Sequence, residues 1–245
     1  MNKLLKRSAI AQNFIKKISA SKKVNQGVFQ GMLLDGRSVG SVSLAKYFGT
    51  YELELEPVFR DWSRTAFQTV VDVGAAEGYY AVGCALLWKS TNVIAFETEQ
   101  EGRTLILGNA IMNHVDNRIS IRGKCDPDDL NAALTGDRPQ LVIMDVEGYE
   151  DELLNPLRVA ALKTAHIMVE IHDFIDSDIA AKIAARFVGS HSIVEIWSRD
   201  RTPRDFAGFS NSVFRWFLWP YLKQFADEGR PGPMRWLVMS PLAPV

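Results

Sequence analysis

A mainly parallel α/β sheet of the Rossmann-like type, with its last strand antiparallel, is the fold this sequence predicts. From Gln68 onward, short apolar runs alternate with stretches of helical period, the pattern of a parallel sheet covered on both faces. The first run, Val70-Val71-Asp72-Val73, enters a turn bearing Gly74 and Gly78 and then a helical pattern, so a buried strand leads through a tight turn where a nucleotide-like ligand fits. Near the C-terminus a charged, aromatic insertion precedes a final apolar run, Trp236-Leu237-Val238-Met239, which is expected to return antiparallel to the sheet edge.

Bulk composition narrows the function classes. The 245 residues suffice for one large α/β core. With 28 basic and 29 acidic residues, no net field draws the protein toward nucleic acid. Cys84 and Cys125 have no metal-type spacing and form no disulfide framework, which points to a reducing, cytoplasmic setting. No apolar run approaches the roughly 20 residues of a membrane span, and the basic N-terminus lacks a signal peptide's apolar core.

Residues 1–64 read as an N-terminal extension and residues 65–245 as the main domain, interrupted by an insertion at about 199–233. Residues 1–23 carry seven basic side chains and no acid, with Leu4, Leu5, Ile10, Phe14, Ile15 and Ile18 at helical spacing. Such a helix suits either an anionic membrane surface or packing on its own domain or a partner subunit. Five glycines between Gly27 and Gly49 suggest a hairpin or irregular strands; residues 52–56 fit strand or helix, and Pro57 suits the first turn of a helix through Trp62. Strands are expected at 68–73, 92–96, 118–122, 140–145, 165–171 and 192–198. Helices are expected near 77–89, 100–113, 127–134, 149–161 and 177–188. The aromatic stretch 213–225 reads as a core helix or homodimer contact, or as a lid walling an acceptor pocket.

The turn after the first strand discriminates between cofactors. A dinucleotide site needs Gly-x-Gly-x-x-Gly, and counting from Gly74 the second and third positions hold Ala76 and Tyr79. An acid at Asp72 would also face the anionic diphosphate. S-adenosylmethionine has no phosphate and offers an ammonium group for Asp72, while Gly74 and Gly78 admit backbone and helix close to it. Val73, Ala75 and Thr98 complete the expected cofactor cradle. Glu97, ending the second strand 25 residues beyond Asp72, suits the ribose hydroxyls, with helix capping as its competing role. Asp126, after the third strand, suits the adenine amine or a plain helix N-cap before Pro127.

The fourth strand runs into Asp145-Val146-Glu147-Gly148-Tyr149-Glu150. Together with Gly49-Thr50-Tyr51-Glu52, the Asp72–Gly78 turn, Phe96-Glu97, Asn109, Asn113 and Val169-Glu170-Ile171-His172, this segment resembles the FkbM family of S-adenosylmethionine-dependent methyltransferases over about Gly49 to Asp173. The resemblance implies a seven-stranded methyltransferase sheet and methyl transfer to an oxygen of a sugar, glycan or natural-product acceptor. Ala76 departs from it, standing where the family commonly carries asparagine.

Methyl transfer demands alignment of the nucleophile and exclusion of water, and an alcohol nucleophile also needs a base or a metal. Asp145 and Glu147 end the fourth strand, and Glu170, His172 and Asp173 end the fifth. His172 is the expected general base, with Asp145 or Glu170 orienting it or the substrate. A rival arrangement holds Mg²⁺ among Asp145, Glu170 and His172 or Asp173. Glu147 and Glu150 also suit the N-terminus of the next helix through its dipole. His114, His166 and His191 have no acidic neighbours in sequence and read as structural or surface groups. Two other functions compete: a catalytically silent protein binding a partner or membrane through residues 1–23 and the insertion, and a nicotinamide oxidoreductase, which Ala76 and Tyr79 disfavour.

Overall fold

Seven apolar runs form one sheet in the computed structural model, which describes residues 12–13, 15–38, 43–136, 138–208, 216–220, 222–223, 228 and 232–242. The strands are β1 (Thr69–Val73), β2 (Asn92–Phe96), β3 (Ile119–Arg122), β4 (Gln140–Met144), β5 (His166–Ile171), β6 (His191–Trp197) and β7 (Arg235–Pro241). Their order across the sheet is β3-β2-β1-β4-β5-β7-β6, with β7 antiparallel to both its neighbours and the other pairs parallel. β1 and β4 are buried along their whole length because helices or loops cover both faces, whereas the edge strands β3 and β6 alternate or stay half open.

Most helices match their apolar patterns: Tyr79–Leu87, Gln100–Met112, Pro127–Ala133 and Ile179–Phe187. Three expectations need correction, and one open choice is resolved. β7 does not return to the sheet edge but inserts between β5 and β6, leaving β6 outermost. The helix expected at 149–161 is only Glu150–Leu153, because Pro156 cannot continue it and biases Asn155 away from helix; a 3₁₀ turn, Ala160–Lys163, follows later. Among the described residues of 27–49 no strand forms; an isolated antiparallel bridge joins Lys23 to Leu33, and Ser43–Phe48 is helical. Residues 53–55 form a 3₁₀ turn running into the helix Glu56–Trp62, with Pro57 in its first turn.

The two-residue period of the strands sorts side chains between two cores. One face carries Val71, Val73, Val142, Met144 and Val169 against Leu130, Leu153, Ile183 and Phe187 of three helices. The other carries Val70, Leu141, Ile143, Met168 and Trp236. That second face is shared by the helices Tyr79–Leu87 and Gln100–Met112 and by the extension, which contributes Phe29, Phe48, Phe59 and Trp62. Ile15 and Ile18, in a helical stretch, pack on the same core; Leu4, Leu5, Ile10 and Phe14 lie outside the described residues. Leu218 and Leu222 of the aromatic insertion are buried there as well. Asn109 and Asn113 tie the extension down: Asn109 accepts from the Asp35 amide at 2.8 Å, and Asn113 exchanges two hydrogen bonds with the Leu33 backbone. Among the described residues, no helix is long and apolar enough to cross a membrane.

Candidate active site

Strand register assembles the site. Val73 pairs with Phe96 on one side and Met144 on the other, so Gly74, Glu97 and Asp145 leave the sheet at one level. The chain then turns sharply: the amides of Gly74 and Ala75 both donate to the Phe96 carbonyl at 3.0 Å. Gly74 has φ 82°, and a Cβ there would lie 1.7 Å from the Asp145 carbonyl oxygen, so no side chain fits. Above these strand ends opens a cleft of about 560 Å³, within the range of small-ligand sites. Three non-glycine residues around it hold left-handed backbone, namely Glu52 (φ 44°), Ala76 (φ 49°) and Glu147 (φ 46°), a kind of strain that gathers at functional sites.

Asp72 shares its face of β1 with Val70 and therefore points toward the extension, where it is 2 % exposed. Its Oδ2 is buried with no hydrogen-bond partner, yet the residue lines the cleft. Burial pushes its carboxyl up to about 7; the charges of Glu97 and Glu52 add to this, and the Ala81 amide and Lys46 oppose it. Glu97 lines the opposite wall, its Oε2 accepting from the Ala76 amide and its Oε1 from the Glu99 amide, both at 2.7 Å. A carboxylate has about four acceptor positions, so these bonds orient Glu97 and leave capacity for two ligand hydroxyls. Gly102 makes room for it, since a Cβ there would lie 2.6 Å from Glu97 Cγ.

Val73, Ala75, Ala76 and Thr98 line this half of the cleft, as do Gly123, Lys124 and Cys125. Gly78 does not; it takes the left-handed cap of the helix Tyr79–Leu87, against Ile106. Asp126 is the N-cap of Pro127–Ala133, accepting from the Asp129 amide at 2.8 Å in a reciprocal capping box, and it is not among the cleft's lining residues. The cap turns the carboxylate toward its own helix, the second of the two roles its position suits.

The other half of the cleft is acidic. Asp145 and Glu147 line it, and Asp145 keeps 45 % of its side chain exposed. Partial desolvation, with Glu52 and Glu147 nearby, raises the Asp145 carboxyl to about 6 against the pull of His172 and a hydrogen bond with Glu170. Behind Asp145 stands His172, whose Nε2 is 3.4 Å from Asp145 Oδ1 and whose Nδ1 is 2.5 Å from Glu150 Oε1. Burial lowers the imidazole's pKa, but the Glu150 hydrogen bond and the charges of Asp145, Glu150 and Glu170 outweigh it, so the net shift is upward. His172 is 5 % exposed and is not a lining residue of the cleft, so its ring stands behind Asp145.

Ligand atoms of Asp145, Glu170 and His172 all lie within 4.8 Å of one another, a spacing that suits one cation. Asp173 is not part of that set: Arg235 grips both its oxygens, at 2.8 and 2.7 Å. Glu150 is not a dipole partner at a helix end in water but a buried carboxylate holding His172.

Position alone would not have disclosed Lys46, a cleft-lining lysine 2 % exposed and paired with Glu77. Nothing in sequence links two residues 31 apart, although an acid just inside the glycine turn is a signal that some cation must meet it. His191 is structural, bonded to the Ala165 carbonyl at 2.8 Å, and His166 packs edge-on against Trp62 and Phe67. A second cavity, of about 680 Å³, lies among Arg199, Arg201, Trp219 and Lys223. Its central guanidinium is already committed to Glu54 and Glu228, so it offers structural ion pairs rather than acid–base chemistry. Of the described aromatic residues of the insertion, Trp219 borders that cavity and none lines the cleft.

The chain matches no family model and no curated protein sequence. Solved structures do match it. Precorrin-6Y C5,15-methyltransferase from Geobacter metallireducens aligns with a TM-score of 0.50 at 11 % identity, over 85 % of this chain and 96 % of that one. TYW2 of P. horikoshii, in complex with MeSAdo, aligns with a TM-score of 0.44 at 14 % identity over 73 % of this chain; the chain spans 59 % of its length. TYW2 of M. jannaschii, in complex with AdoMet, aligns with a TM-score of 0.43 at 15 % identity, over 78 % of this chain and 75 % of that one. The first of these likenesses shows the fold: a Rossmann-like methyltransferase sheet, mostly parallel with one reversed strand.

Proposed function

We propose that this chain is an S-adenosylmethionine-dependent methyltransferase acting on a hydroxyl of a sugar, glycan or natural product. The observation that carries the reading is Asp72 Oδ2, a buried carboxylate oxygen without a partner on a residue lining the cleft. An unpaired buried carboxylate is costly, and a ligand ammonium group satisfies it. Glu97, held by two amides at the far wall, is set for a pair of ribose hydroxyls. Lys124 and Tyr149, stacked at 4.8 Å, and Cys125 supply the flatter wall for a base. When bound, the cofactor supplies an electrophilic methyl group on a sulfonium centre.

The chain's own residues then position the acceptor and take its proton. Asp145 is the acid–base group facing the cleft, and its raised carboxyl makes it a stronger base than an ordinary aspartate. His172 holds it at 3.4 Å, and Glu150 fixes the ring that does so. The role expected of His172 therefore moves one residue forward in the chain of contacts. Phe174, exposed and edge-on to His172 at 5.5 Å, offers an apolar rim on which a sugar ring packs. A base at the cleft, Asp145, and the likeness to FkbM proteins in Asp145–Glu150 support transfer to oxygen over nitrogen, since an amine needs less help from a base.

Calorimetry with S-adenosylmethionine, its demethylated product and NAD tests the cofactor. Binding of the first two without NAD supports the reading, and binding of NAD alone overturns it. A labelled-methyl screen of nucleotide sugars and lipid-linked glycans tests the acceptor. A second reading places Mg²⁺ on Asp145, Glu170 and His172, favoured by the 4.8 Å cluster. Loss of turnover in chelator, restored by Mg²⁺, selects it over proton removal by Asp145 alone.

A further inference from the structure

Charge at the inner end of the cleft comes in two signs. Lys46, on the helix Ser43–Phe48, reaches the cleft from the extension, while Asp72 reaches it from β1. Tyr51 and Tyr79 flank the ammonium, with ring centroids 4.6 and 5.4 Å from Nζ, and both rings line the cleft too. Behind Lys46 stands Glu77, which is not a lining residue and whose charge is spread further by the Ser38 hydroxyl at 2.7 Å. The Asn109 side-chain amide holds the Glu77 backbone carbonyl at 2.8 Å, so the supporting carboxylate is fixed from below. The ligand therefore meets a cation, two aromatic walls and a carboxylate in one corner.

We propose that Lys46 is the recognition site for the carboxylate of the cofactor's amino-acid end, so that Lys46 and Asp72 together read a zwitterion. This rests on the cofactor reading above and deepens it. A buried lysine is expensive to keep charged, and the Glu77 pair with two aromatic faces keeps it so in the one place where a ligand anion and a ligand ammonium arrive side by side. A purely structural ion pair needs no cleft-lining position. The same geometry assigns the extension a role in binding, because no residue of the sheet supplies this cation.

The test compares S-adenosylmethionine with its decarboxylated form, which keeps the ammonium, sulfonium and adenosine but lacks the carboxylate. Calorimetry on the wild-type chain is expected to show the decarboxylated form binding roughly ten- to hundredfold more weakly, the span of one charge-assisted hydrogen bond. In Lys46→Met the gap shrinks to threefold or less. Because that variant leaves Glu77 buried without its lysine counter-charge, the pair Lys46→Met with Glu77→Gln repeats the measurement without that charge. Equal affinity of the wild type for both ligands overturns the proposal and leaves the cofactor reading intact, as does full discrimination in the double variant. Binding of neither ligand by folded wild-type protein overturns both.

Discussion

His172 Nδ1 lies 2.5 Å from Oε1 of Glu150, a carboxylate with no exposed surface, 22 residues earlier in the chain. This contact spans the ends of β4 and β5 and sets the direction in which the imidazole faces Asp145. A neutral glutamine cannot hold the charged ring in the same way.

Glu150→Gln should lower the His172 pKa from its raised value, read directly by NMR titration of the ring. The sign for stability follows from linkage. A histidine whose folded pKa is raised contributes stability that is fully present below the unfolded value of about 6.5 and is lost as pH rises through the folded value. The stability gap between wild type and Glu150→Gln should therefore be widest below pH about 6.5 and narrow above the raised pKa. Turnover should fall about ten- to a hundredfold, the range for a misplaced acid–base group. Unchanged titration of His172 would sink the assignment.

Asp72 titrates with the same sign, from burial rather than from a charged partner. Its folded carboxyl, raised to about 7, binds a proton that the unfolded chain releases near its ordinary value, so ligand-free stability should fall as pH climbs between those two values. The loss is on the order of a few kcal/mol. Asp72→Asn should flatten that slope in thermal melts between pH 5 and 8. Cofactor affinity should run the other way, tightening as pH rises through about 7, because the ammonium needs the ionised carboxylate. A pH-independent affinity in calorimetry would contradict the pairing.

Ala76 sits at φ 49°, a left-handed conformation that costs a residue with Cβ about 1–2 kcal/mol. Asparagine tolerates that region better than alanine. Ala76→Gly is expected to gain up to about 1 kcal/mol after its own entropic cost, or roughly 2 °C in Tm for a chain of this size. Ala76→Asn should also stabilise, by less. A drop in Tm for both variants would show that the strain is not there to be relieved.

Glu97→Ala removes the acceptor of two backbone amides as well as the expected ribose contact. Stability should fall by about 1–3 kcal/mol, measured by denaturant unfolding. Cofactor affinity should fall at least tenfold, whereas Glu97→Gln keeps part of the backbone support and should lose affinity with a smaller change in stability. Equal losses in both quantities for the two variants would mark Glu97 as purely structural.

The strand–turn–helix opening, the level of Asp72 and Glu97, and the parallel sheet were all legible from residue order. They depend on periodicity and on spacing between neighbouring strands, which local sequence encodes. Three things were not legible, and each needed contacts between distant segments. β7 slips between β5 and β6 because its apolar face, Leu237 and Met239 on one side and Trp236 and Val238 on the other, is buried by both cores. Asp126 faces its own helix because it exchanges capping hydrogen bonds with Asp129. Lys46 enters the cleft because the extension folds over the sheet and brings it against Glu77, 31 residues further along the chain. By itself the sequence determined the sheet, its ligand edge and the acids that mark it. Only the tertiary structure decided which of those acids face the cleft and which stand behind, since burial and hydrogen bonding orient a carboxylate where chain position does not.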